Sequence, residues 1–165
     1  MGQYHYLINL DKRQVVHPHE IGNGLKLHEQ IGWPYATATA LVMLLAASSS
    51  GGGRGGGDFR ALHPLVGAWA GDRIAFIGDY ATVDDVPGCN AAKIFELCSA
   101  ACHACEPGDE PKGWESWTNI SAKVREMMAA EFGIRYEGEG WLNIIEPRGK
   151  MAPAPQAPDL VIVGS

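Results

Sequence analysis

The sequence predicts an α+β fold: a mainly antiparallel sheet built from an N-terminal hairpin, a central strand and a C-terminal hairpin, with three to four helices packed on it. Three observations carry this. Runs rich in β-formers and bracketed by turn residues stand near both ends and in the middle of the chain. Stretches with 3.6-residue apolar periodicity lie between them. The elements do not alternate strand–helix–strand, as a parallel sheet would require.

Tyr4 to Asn9 reads as a strand, and Gln14 to His17 returns after the polar Asp11-Lys12 turn. Pro18 and Gly22-Asn23-Gly24 end this hairpin, and Asn23 is placed to cap a short helix reaching Ile31. Trp33-Pro34-Tyr35 leads into an apolar helix over 36–47. Those twelve residues fall short of the roughly 20 that a membrane span needs, so a buried core helix is expected. Glycines on both sides of Arg54 predict a mobile surface loop over 49–58, because each glycine loses much conformational entropy when ordered. Asp72 to Tyr80 is the clearest strand, with Gly-Asp at both ends. Asn90 caps a helix reaching about Ala101, with Ile94, Cys98, Ala101 and Cys102 on one face. Asn119 or Ser121 starts an amphipathic helix with Ile120, Val124, Met127, Met128 and Phe132 as its stripe, and Gly133 stops it. Ile134 to Glu137 and Trp141 to Glu146 form the second hairpin around Gly138-Glu139-Gly140. The expected organisation is one domain over 1–150 and a Pro/Ala-rich tail over 151–165.

Apolar residues are 46% of 165, enough for a sizeable core, and charged residues only 19%, which excludes gross disorder. The net charge of −6 argues against a direct nucleic-acid binder that works by bulk charge. The imbalance is local. Between residues 76 and 118, Asp79, Asp84, Asp85, Glu96, Glu106, Asp109, Glu110 and Glu115 face only Lys93 and Lys112. Such a segment is either a solvated loop region or a face for a basic partner. Trp114 and Trp117 lie within it, as aromatic anchors of a protein interface would. The first residues lack a basic stretch followed by an apolar one, so a cytoplasmic protein without a membrane partner is expected.

The densest motif is Cys98-Ser-Ala-Ala-Cys102-His103-Ala-Cys105, with Cys89 upstream. Four thiolates can close a tetrahedral zinc site, with His103 as a spare ligand, and free thiols packed on a helix face account for the cysteines equally well. The Cys-x3-Cys-x2-Cys spacing resembles the cluster-binding motif of radical S-adenosylmethionine enzymes, which implies an iron–sulfur cluster. In that family the motif follows a first strand and carries an aromatic before the third Cys. Here it closes a helix, and Ala104 stands at that place. His17-Pro18-His19, with Glu20 beside it, offers acid–base groups, with Asp72 and Asp79 of the Gly-Asp dipeptides as candidate carboxylates. His5 is placed to meet His17 across the hairpin. No P-loop, GxGxxG fingerprint, Gly-x-Ser-x-Gly elbow or His-Glu-x-x-His motif occurs.

These readings favour a small acidic binding or regulatory protein, of the kind phages and mobile elements use to inhibit nucleic-acid-handling machines. Its binding residues would be Asp84, Asp85, Asp109, Glu110, Trp114 and Trp117. The rivals are a small hydrolase or transferase using His17, His19, Asp72 and Asp79, and a zinc-stabilised protein using Cys89, Cys98, Cys102 and Cys105.

Overall fold

Strand β1 (His5–Asn9) is apolar on both faces, so the sheet it builds has to be covered on both sides. The computed structural model, which describes residues 2–47, 59, 63–103, 106–138 and 143–145, meets that demand with helices on each face. The Gly-rich loop over 49–58, Cys105 and the tail over 151–165 lie outside the described residues.

β1 is central. It pairs antiparallel with β2 (Gln14–Val16), the hairpin the sequence predicts, and on its other side with β3 (Ile74–Gly78). A fourth strand, β4 (Thr118–Asn119), lies beside β2 in parallel, which gives the order β3-β1-β2-β4. The sheet is therefore mixed: two of its three pairings are antiparallel, in keeping with the mainly antiparallel sheet expected, and one is parallel. The C-terminal hairpin, β5 (Arg135–Glu137) with β6 (Asn143–Ile145), forms its own two-stranded sheet. β4 already occupies the edge beside β2, and Tyr136 and Ile144 of the hairpin pack instead on the apolar core.

Leu7 and Val16 point to the face covered by α2 (Thr37–Leu45) and α4 (Ser121–Phe132). Met43, Leu44, Val124, Met127 and Met128 are fully buried there around Trp69. Each such aliphatic side chain contributes about 2 kcal/mol by leaving water. Tyr6, Ile8, Val15 and Ile77 point to the other face, where α3 (Ala91–Cys102) packs with Ala91 and Cys98 and meets Trp117. The alternation of Tyr6, Leu7 and Ile8 between two clusters is the two-residue period of a strand.

The helix signals hold at α3 and α4. The Asn90 side chain caps α3 by accepting the Lys93 N–H, and Gly133 ends α4 at a φ of 66°, the left-handed conformation glycine tolerates best. Asn23 does not cap α1 (Leu27–Gly32), which starts after Lys26. The Leu25 carbonyl is taken by His5 N–H at 2.8 Å and Gln30 Nε2 at 2.9 Å, and Lys26 is extended, so the helix starts only after it. Among the described residues, no helix is long and apolar enough to cross a membrane.

Candidate functional site: a histidine cluster at the end of α3

Val16 is the last residue of β2, and Pro18 fixes a 3-10 turn over Pro18–Ile21. His17 stands between them as the cap of that turn, its Nδ1 accepting the His19 N–H at 3.2 Å. A ring nitrogen that accepts carries no proton, so the neutral His17 ring holds its proton on Nε2.

The chain far downstream clamps this segment. His17 N–H donates to Ser121 Oγ at 2.8 Å, and Ser121 Oγ donates to Asn119 Oδ1 at 2.6 Å. Asn119 Nδ2 donates to Glu20 Oε2 at 2.6 Å, and Arg125 Nη1 donates to the Glu20 carbonyl at 2.7 Å. β4 and the start of α4 thus hold His17, His19 and Glu20 in one orientation.

The C-terminus of α3 arrives from the other side. His103 follows its last turn, and His103 Nε2 lies 3.2 Å from the Tyr6 hydroxyl, a contact between residues 97 apart in sequence. The His17 ring centre lies 5.0 Å from His103, 5.4 Å from His19 and 5.1 Å from Tyr6. Tyr6 is fixed in turn by stacking on Phe95 at 4.8 Å. His17 is buried, His19 half-buried and His103 exposed, so the cluster grades from core to solvent.

Burial lowers the His17 pKa to about 4, helped by the neighbouring His103 and His19 rings. His19 is lowered for the same first reason. Burial raises the Tyr6 phenol to about 12, against an opposing hydrogen bond with Ser99. Burial also pushes up the thiols of Cys98 and Cys102, the latter further because Glu20 is near. At neutral pH these two are thiols, the weaker form both as nucleophile and as metal ligand.

The sequence candidates separate into groups. His17 and His19 come together, and the Cys98–His103 stretch meets them. The β1–β2 register Leu7↔Val16 puts Tyr6, not His5, on the face of His17. Asp72 and Asp79 bracket β3 instead of joining the histidines. Asp72 accepts from Asn9 Nδ2 at 2.8 Å and pairs with Lys12, while Asp79 Oδ1 accepts the Tyr4 N–H at 3.0 Å. Both Gly-Asp carboxylates therefore pin the ends of β1. Cys89 precedes α3, at the opposite end from Cys102. Among the described residues, no group of three or more His, Cys, Asp or Glu is arranged to hold a metal ion. Asp84, Asp85 and Asp109 are exposed, and Glu110 and Trp114 are half-buried. Trp117 is 8% exposed and belongs to the core under α3.

Tyr6 has no mark in the sequence as a site residue. Only the hairpin register places it beside His17, and that register was open until the Asn9 side chain, which accepts the Asp11 and Lys12 N–H groups, fixed the turn. The chain matches no protein-family model, and comparison with curated proteins and with solved structures finds no match.

Proposed function

We propose that the protein is a small hydrolase or transferase whose proton-handling groups are His17, His19 and His103. The supporting observation is that three imidazoles from two distant segments meet beside the Tyr6 hydroxyl, on a surface that opens to solvent at His103. Two imidazolium charges 5.0 Å apart repel by about 3 kcal/mol at an effective dielectric of 20. Burial and these neighbouring rings keep His17 neutral within the cluster. His103 is the general acid or base of this reading. His17 and Tyr6 position it.

The test is turnover of activated esters and phosphate esters by the wild-type protein and by His103→Gln. Wild-type turnover should exceed that of free imidazole at equal concentration, and His103→Gln should lose it with an unchanged melting temperature. Wild-type turnover no greater than imidazole's refutes the reading.

A separate observation favours a second reading, the acidic intracellular regulator that blocks a nucleic-acid-handling machine by protein contact. Asp79, Asp84, Asp85, Glu106, Asp109 and Glu115 are all exposed in the segments flanking α3. In this reading the partner is a basic protein surface, and Trp114 is the available aromatic anchor, since Trp117 serves the core. Replacing Asp84, Asp85, Asp109 and Glu110 by Lys should then slow association and abolish its salt dependence, with little change in melting temperature.

A further inference from the structure

At the end of α3 opposite the histidines, an open cavity of about 430 Å³ has Arg13, Arg73 and Lys93 in its wall and no carboxylate lining it. Its size falls within the range of small-molecule sites, about 300–1,000 Å³. In a chain of net charge −6, three cations converging without a lining anion stand against the general balance.

The cations retain binding capacity. Arg73 spends Nε and its backbone N–H on Asp11, both at 2.8 Å, and makes no other described side-chain hydrogen bond. Lys93 pairs with Glu96 at 3.2 Å, with both side chains largely exposed, an arrangement that contributes little and is easily exchanged. Arg13 has no ion pair or side-chain hydrogen bond among the described residues, and its φ is 52°. That left-handed conformation costs a residue with a Cβ about 1 kcal/mol and suits glycine or asparagine better. Arg13 is the last residue of the turn between β1 and β2, which fixes its place in the cavity wall. The remaining wall combines the apolar Leu10, Ile94, Leu97 and Trp117 with the polar Asn90 and Ser116.

We propose that this cavity binds a small organic phosphate, its phosphate group held by Arg13, Arg73 and Lys93 and its apolar body against Ile94 and Trp117. A phosphate dianion matches three cations better than a carboxylate does, and arginine forks fit its oxygens in pairs. The first turn of α3, at Asn90, adds the positive end of the helix dipole to the same wall. The site is independent of the histidine cluster.

Calorimetric titration of the full chain with phenyl phosphate, inorganic phosphate and phenol tests this. Phenyl phosphate should bind more tightly than about 1 mM and more tightly than inorganic phosphate, with affinity falling as salt rises; phenol should not bind. Arg73→Met should weaken phenyl phosphate about tenfold to a hundredfold. Arg13→Gly relaxes the strained turn, so it should weaken binding similarly while the melting temperature stays level or rises. That pairing separates a lost ligand contact from a lost fold. Absence of phenyl phosphate binding, equal affinity for phenol, or affinity unchanged in both arginine variants would overturn the proposal. Equal affinity for inorganic phosphate would overturn the assignment of an organic ligand.

Discussion

His17 should make this protein acid-labile well above the range where carboxylates titrate. Its ring binds a proton near pH 6.5 in the unfolded chain and near 4 in the folded one. The folded-state pKa is depressed, so folding excludes a proton. Stability is complete above about pH 6.5 and declines as pH falls toward 4. From those two values, the folded state loses about 2 kcal/mol between pH 7 and pH 5 through His17 alone. With a urea slope of about 2 kcal/mol per M, the unfolding midpoint should drop by about 1 M over that interval. His5 and His19 are also lowered by burial and act in the same direction, so the wild-type loss is larger. Asp11, Asp72 and Asp85 are held low by their hydrogen bonds and act only below this window. His17→Asn isolates the effect. Asn keeps a side-chain acceptor at the cap of the 3-10 turn but does not titrate. Its smaller ring-less side chain costs stability equally at both pH values. Urea unfolding followed by tryptophan fluorescence at pH 5, 6 and 7 should show a slope with pH that is shallower in the variant by about 2 kcal/mol. Equal pH dependence in the two proteins would refute the claim that His17 is buried and neutral.

Ser121→Ala removes the acceptor of the buried His17 N–H and should cost about 1–3 kcal/mol in urea unfolding, much more than Ser→Ala at an exposed site. Cys98 and Cys102 should react slowly with a thiol reagent at pH 8 in the native protein and rapidly in denaturant, since burial keeps both protonated. Fast native modification at either position would contradict the packing of α3 on the sheet.

The legible parts of the fold were those whose signal is local. Asn90 and Gly133 mark helix ends because a side-chain acceptor and a missing Cβ solve problems within one turn of chain. The strands β1, β2 and β3 announce themselves by composition. β4 does not: two residues have no periodicity, and Thr118 and Asn119 are extended only because β2 offers an edge. The site divides the same way. His-Pro-His and the Cys–His stretch were visible as motifs, but their meeting depends on α3 crossing the sheet with its last turn over Tyr6. Trp117 looked like an exposed anchor because its neighbours are polar, whereas the chain folds back along α3 and buries it.

The parallel pairing of β2 with β4 also sets an order of events during synthesis. Residues 14 and 15 must wait for 118 and 119 before their outer edge is covered, and His17 must wait for Ser121. Until then a nascent chain carries a formed hairpin with an open apolar edge, the feature by which unfinished sheets recruit one another. Contacts that span so much sequence also slow the final step of folding. Yield in a cell should therefore depend on the interval between emergence of the hairpin and emergence of residue 121, which makes temperature and translation speed the levers on solubility.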